Sequence, residues 1–137
     1  MTLVSEVMTH DVHTCTGEQT VLEVAKVMAS LGRGLMVIVD AAYCPVGVVT
    51  DTDIIRRIVI EGRDPKLTPV SKIMSKNLIS ILPQDTVTDA AQKMSEYRIK
   101  RLPVVENNRL VGIISHKDLL ETFISYKKKL LDLAIGF

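Results

Sequence analysis

Val4-Ser5-Glu6-Val7-Met8-Thr9 returns 66 residues later as Val70-Ser71-Lys72-Ile73-Met74-Ser75. The same offset carries Thr20-Val21 onto Thr86-Val87, Ala25 onto Ala91, Met28 onto Met94, and Ile38-Val39-Asp40 onto Val104-Val105-Glu106. After the Ala41-Ala42-Tyr43-Cys44 turn the offset falls to 65, and Val46-Gly47-Val48-Val49-Thr50 meets Val111-Gly112-Ile113-Ile114-Ser115. Few positions are identical, yet the glycine, the apolar pairs and the polar helix starts stay in step. Chance similarity would not maintain that order. The chain is a tandem repeat, and that decides the fold before any single element does.

Within each copy the pattern reads strand, helix, strand, strand, helix. Residues 12–15 and 78–81 have the look of short strands. Thr20 and Thr86 each open a Thr-X-X-acid sequence, with Glu23 and Asp89 third along, the signature of a capping box. Val21, Val24, Ala25, Met28 and Leu31 follow at helical spacing, as do Val87, Ala90, Ala91, Met94 and Tyr97. Residues 35–39 and 102–105 are β-branched apolar runs of strand length. Turns at 40–45 and at Glu106-Asn107-Asn108-Arg109 lead to return strands at 46–50 and 110–115. The closing helices carry Ile54, Ile55, Ile58 and Val59, then Leu119, Leu120, Phe123 and Ile124.

Gly62-Arg63-Asp64-Pro65-Lys66-Leu67-Thr68-Pro69 breaks the helix and bars its resumption. The expected organisation is repeat 1 over 1–62, a linker over 63–69, repeat 2 over 70–126 and a C-terminal helical extension over 127–137. One such repeat exposes an apolar sheet face it cannot cover alone. Two β-α-β-β-α copies packed sheet to sheet about a pseudo-twofold axis would cover both, giving an α/β intramolecular dimer with two related clefts between the copies.

With 47% hydrophobic and 24% charged residues, the 137-residue chain has a globular balance. Only 4% is aromatic and there is no Trp, so aliphatic residues and Met must make the core. A net charge of +1 lacks the basic excess of a general nucleic-acid binder. No apolar span is long enough for a membrane helix, and no signal pattern opens the chain. Two cysteines, Cys15 and Cys44, make no disulfide framework, which points to a soluble cytoplasmic protein.

Three marks recur in order in each copy. They are Met8-Thr9, Met36-Val37-Ile38-Val39-Asp40 and Gly47-Val48-Val49-Thr50-Asp51-Thr52-Asp53, then Met74-Ser75, Arg101-Leu102-Pro103-Val104-Val105-Glu106 and Gly112-Ile113-Ile114-Ser115-His116-Lys117-Asp118. They resemble the CBS domain, the family named for cystathionine β-synthase, whose tandem pairs form Bateman modules. The resemblance covers about residues 2–126, and departs from the family in having Val37 where a Pro is usual. It implies a stand-alone, non-catalytic regulatory module that binds AMP, ADP, ATP or S-adenosylmethionine between the repeats and acts on a regulated protein by conformational change. It also implies pairing into a homodimer, a flat four-repeat disc.

Thr50-X-X-Asp53 and Ser115-X-X-Asp118 are capping patterns in their own right. A helix start also offers N–H groups and partial positive charge to a phosphate, and a carboxylate one turn in can accept from ribose hydroxyls. The resemblance accordingly assigns Asp53 and Asp118 to ribose, and Thr50 and Ser115 to phosphate. By the same resemblance the adenine slot draws on Thr9, Val12 and Thr14 with Arg33, Gly34 and Leu35 in the first copy. In the second it draws on Ser75, Leu78 and Ser80 with Ile99, Lys100, Arg101 and Pro103. Val48 and Ile113 would floor the two pockets. The copies differ in charge: His116, Lys117, Lys100 and Arg101 favour a phosphorylated ligand in the second, whereas Asp51 would repel one in the first unless a base such as Arg101 reaches it.

Other readings are weaker. His10, His13 and Cys15, with Cys44, have donors that suit zinc, but strand alternation aims only His13 and Cys15 together, and no metal site is expected. Val48-Val49-Thr50-Asp51-Thr52-Asp53 looks like the aspartate loop of haloacid-dehalogenase-type phosphatases. Ile54-Ile55 depart from that motif, however, and the second copy has His116 for its first Asp. The alternative to a sensor is an interaction or scaffold protein that dimerises through its repeats without a physiological nucleotide. The tail from Tyr126 through Lys127-Lys128-Lys129 to Ile135 extends the last helix, with an apolar run able to meet a second subunit.

Overall fold

The computed structural model describes residues 1–135, so Gly136 and Phe137 of the expected extension lie outside the described residues. In chain order the first elements are α1 (Val4–Val7), β1 (Thr14–Thr16), α2 (Val21–Leu31), β2 (Leu35–Val39), β3 (Pro45–Thr50) and α3 (Asp51–Ile54). A π-helical run (Ile55–Ile60) and a 3₁₀ turn (Val70–Lys72) precede α4 (Val87–Tyr97), β4 (Arg101–Glu106), β5 (Arg109–Ser115) and α5 (His116–Ala134). This is the expected mixed α/β fold. Among the described residues it has two small sheets, ordered β1-β2-β3 and β4-β5.

The chain forms two compact units. One holds Val12–Ile79 with Asn107–Leu110, and the other holds Met1–Asp11, Ser80–Glu106 and the chain from Val111. In the first, β1 runs parallel to β2 with Thr14 opposite Val37, and β3 runs antiparallel with Val48 opposite Val37 and Thr50 opposite Leu35. Met36 to Val39 are all buried, as a strand covered on both faces requires. α2 begins where the Thr20 hydroxyl accepts from the Glu23 N–H at 3.2 Å, and it turns Val21, Val24 and Met28 into the core. Leu31, expected on that stripe, is exposed.

The closing helix of this unit differs from the expectation. α3 lasts four residues before i→i+5 turns take over, which disrupts the 3.6-residue spacing that aligned Ile54, Ile55, Ile58 and Val59. Only Ile58 is buried, while Ile55, Val59 and Ile60 face outward.

In the other unit, α4 opens with a complete capping box: the Asp89 N–H donates to Thr86 Oγ1 at 3.1 Å, and the Thr86 N–H donates to Asp89 Oδ2 at 2.9 Å. Ala90 and Met94 carry its buried stripe, and Tyr97 lies outside it. The β4–β5 turn, whose Asn107–Leu110 stretch counts with the first unit, has Asn107 and Asn108 at φ of 53° and 61°, both positive, as type I′ hairpin turns require. The strand expected over 78–81 is reduced to one parallel bridge between Ile81 and Val104. Its continuation is blocked because Leu82 N–H turns to Asp85 Oδ2 at 3.0 Å and Pro83 has no N–H to offer. α5 runs unbroken through the three lysines to Ala134 and buries none of its residues.

Each unit is completed by the segment that opens the other repeat. The Thr9 N–H donates to the Ile113 carbonyl at 2.8 Å and receives the Ile113 N–H at 3.0 Å; Ser75 and Val48 exchange the same pair at 2.8 and 3.0 Å. Val4 N–H reaches Asp85 O, and Val70 N–H reaches Gln19 O, each at 2.8 Å. Met8 lies on Gly112 and Met74 on Gly47, so tightly that a Cβ on either glycine would come within 2.7 Å of a methionine sulfur and 2.9 Å of a backbone carbonyl. Val4, Val70 and Ile73 are fully buried as a result.

Gly112→Ala should therefore cost about 1–3 kcal/mol through overpacking, read from urea unfolding, with Met8→Ala in the same chain recovering part of the loss. Asp89 gives a pH effect. The Thr86 backbone N–H, then its hydroxyl and the charge of Lys93, hold the carboxyl below its ordinary value of 3.8. The stability it contributes is complete above that value and drains away as pH falls through the lowered one. Asp89→Asn should flatten the acid limb of a stability-versus-pH curve in that window, and leave the slope above pH about 5 unchanged.

Candidate functional site

β3 ends at Thr50, whose extended backbone (φ −113°, ψ 163°) hands over to α3. The Asp53 N–H donates to Thr50 Oγ1 at 3.1 Å, and the Thr50 N–H donates to Asp53 Oδ2 at 2.9 Å. The Asp51 N–H donates to the Gly34 carbonyl at 3.0 Å, which ties the helix start to the lead-in of β2. Register does the rest. Leu35 sits opposite Thr50, and Thr14, Val37 and Val48 form one row across the sheet, continued by Ser75. The structure thus brings Gly34, Leu35, Thr50 and Asp53 together at one corner, with Thr14 and Val48 a step along. Arg33 is held by its N–H on the Met28 carbonyl at 3.0 Å, and Val12 receives the Tyr43 hydroxyl at 3.4 Å.

The second corner repeats the first. Asp118 N–H donates to Ser115 Oγ at 3.3 Å, and Ser115 N–H donates to Asp118 Oδ2 at 2.8 Å. His116 N–H donates to the Lys100 carbonyl at 2.8 Å, the image of the Asp51–Gly34 bond. Ile99 N–H bonds the Met94 carbonyl at 3.0 Å, matching Arg33. Ile113 and Pro103 are buried, Arg101 is partly covered, and Lys100 and Lys117 are exposed. Leu78 and Ser80 lie partly buried on either side of the unit boundary, outside any strand.

Thr9, expected to serve the same slot as Arg33, Gly34 and Leu35, pairs by its backbone with Ile113, and Ser75, expected with Ile99, Lys100 and Arg101, pairs with Val48, each arm being threaded onto the other repeat's glycine-bearing strand. Lys93 was not anticipated. Its ammonium donates to the Ser80 carbonyl at 2.6 Å, but its counterpart in the first copy is Val27, so the repeat carried no signal for it.

In each corner one carboxylate oxygen is engaged by the N-cap, and Oδ1 accepts no hydrogen bond from the described residues. His116 Nδ1 is the buried side-chain polar atom without a partner among the described residues. Burial, then the nearby Glu23 carboxylate, pushes the Cys15 thiol up, away from the thiolate a metal would need. Among the described residues no three His, Cys, Asp or Glu side chains come together as a metal set, and no helix is long and apolar enough to cross a membrane.

The CBS domain family matches residues 4–60 and 70–125. The CBS domain-containing protein YhcV of Bacillus subtilis is 40% identical over 119 residues, 87% of this chain and 84% of that protein. A Methanopyrus kandleri protein is 34% identical over 86% of this chain, which spans 61% of its length. Among solved structures, a protein with CBS domains from Burkholderia ambifaria superposes with a TM-score of 0.82 at 29% identity, over 90% of this chain and 95% of that one. The CBS domain pair of protein MJ0100, solved with 5′-methylthioadenosine and S-adenosyl-L-methionine, gives 0.81 at 28% identity over 92% and 98%. With both repeats matched in sequence and the fold matched in structure, the chain belongs to the CBS domain family as a tandem pair.

Proposed function

We propose that the chain is a non-catalytic sensor: it binds adenosine-type ligands at its two Ser/Thr-X-X-Asp corners and signals to a partner protein through a change of conformation. The observation that carries this reading is the paired construction of the corners. In each, a hydroxyl and a carboxylate are fixed by reciprocal bonds of 2.8 to 3.3 Å at a strand-to-helix junction, beside the lead-in of a neighbouring strand. Such a carboxylate is held still by its engaged oxygen and can offer the other to the ribose 2′- and 3′-hydroxyls, with little ordering cost left to meet on binding. Thr50 and Ser115 would orient phosphate or the 5′ substituent. The backbone of Arg33-Gly34-Leu35 and of Ile99-Lys100-Arg101 would meet the adenine edge, with Thr14, Val12, Ser80 and Leu78 alongside. Thr9 and Ser75 would serve the corner onto which their arms are threaded. AMP, ADP, ATP and S-adenosylmethionine are the ligand classes for this reading. Both cysteines are free, in keeping with a cytosolic protein.

Thermal unfolding tests it. A true ligand at about 100 times its dissociation constant should add about 2.7 kcal/mol of stability, and Asp53→Ala with Asp118→Ala should abolish the shift. A folded, ligand-free protein that shows no shift with any of the four would sink the sensor reading.

Assembly is favoured by a separate observation, the exposed apolar face of α5. Leu120, Phe123, Ile124, Leu130 and Leu131 are each 49 to 64% exposed on a helix none of whose residues is fully buried within its own chain. A similar CBS-containing structure from cyanobacteria, 33% identical, is hexameric. We therefore read the protein as a homodimer of four repeats. This is also the basis of the scaffold alternative, in which assembly is the whole function. Phe123→Glu should shift sedimentation from dimer to monomer while far-UV dichroism stays unchanged. A monomer before substitution would overturn this part.

A further inference from the structure

The match to the family stops at residue 125, but α5 continues to Ala134. What the extension adds is the second half of a pattern. Leu120, Ile124, Leu131 and Ile135 recur at steps of four, seven and four, which keeps them on one stripe of a helix with about 3.6 residues per turn. Each is more than half exposed. The partly covered Asp118 and Thr122 lie on the other side of the helix, so the stripe faces away from its own unit. Lys127 interrupts it, with a stem that can cover apolar surface while the ammonium stays in water.

Along one edge of the stripe run Lys117, Glu121, Lys128 and Asp132, all exposed. Their signs alternate, and the outer and inner pairs share one centre, between Ile124 and Ser125. Reversed, the row has every sign inverted, so it complements itself only when read backwards. A second α5 laid antiparallel on that centre sets Lys117 against Asp132 and Glu121 against Lys128, on both sides of a twofold axis. Ile124 then meets its own copy at the axis. A parallel twofold pair would instead bring this edge against the opposite one, where Phe123 and Leu130 stand, and leave all four charges without partners.

Pairing within the helix does not account for the row. Lys117 with Glu121 and Lys128 with Asp132 are four apart, but with Lys before the acid, the weaker order. None of the four is in an ion pair among the described residues. The row carries no net charge, so a second copy fits it better than an anionic lipid surface. The closing segment of the first repeat has Thr52 and Arg56 where α5 has Lys117 and Glu121, and its helical run ends at Ile60, before the second half would begin.

Resting on the dimer reading, we propose that α5 pairs antiparallel with the α5 of a second copy of this chain. The apolar stripe supplies the attraction. Exposed ion pairs add little to affinity, but here they fix direction and register and favour this chain's own copy over other chains of the same fold.

Sedimentation equilibrium of the full chain tests it, with far-UV dichroism to show that each variant folds. Glu121→Lys turns two attractions into two Lys–Lys contacts and should weaken the dimer about tenfold. Lys128→Glu should do the same, and the chain carrying both should regain the original constant. Mixing the two single variants should give the mixed dimer in preference to either homodimer, and added salt should narrow every difference. A dimer indifferent to Glu121→Lys, or a loss that the double exchange does not recover, would overturn the antiparallel pairing and leave the dimer reading standing. So would dissociation by Ile55→Glu without any effect of Glu121→Lys, which would place the second copy on the first repeat's exposed face. If the unsubstituted chain is a monomer, both fall.

Discussion

The structure depends on two methionines packed hard against two glycines. Met8 on Gly112 and Met74 on Gly47 bring the backbone close enough for a reciprocal pair of N–H···O bonds on each side, and they lock an arm onto a sheet. A side chain at either glycine would lift the arm and withdraw Val4 or Val70 and Ile73 from the apolar interior, where each is fully covered. A unit of this size has little apolar surface in reserve. Each repeat needs the arm that opens its neighbour.

The same geometry fixes the candidate sites. Each arm bonds to the residue two positions before the N-cap of the closing helix, so Thr9 and Ser75 reinforce the strands that deliver Ser115 and Thr50. The corner is then held from three sides, by the arm, by the bond from the first helical N–H to the lead-in segment, and by the capping box. Capping and ligand binding are one arrangement with two uses. A carboxylate with one oxygen spent on its own helix is pre-positioned rather than idle.

Much of this was legible in the chain before any coordinates. The 66-residue offset gave the repeat, the Thr-X-X-acid pattern gave helix starts that the hydrogen bonds reproduce, and Asn107-Asn108 marked a turn with both residues at positive φ. What stayed hidden was non-local. Nothing in Met8-Thr9 says which of two nearly identical strands it will join, since its chemistry fits Gly47 and Gly112 equally. Local pattern also misread Ile54 to Val59, because apolar spacing does not reveal a switch to i→i+5 bonding. Leu78 to Ile81 looked like a strand until Pro83 and the Asp85 side chain claimed its continuation.

The arm exchange has a further meaning for how the molecule comes into being. Thr9 leaves the ribosome 104 residues ahead of its partner, Ile113. At about 5–20 residues per second, the apolar arm around Val4 and Met8 waits while all of the chain between is made, with its destination not yet in existence. The middle of the chain, by contrast, finds its partners close at hand. Loop closure over such a span is slow and comes late. The arm is therefore placed only after the strand it waits for, and this half of the fold closes on a segment made long before its partner.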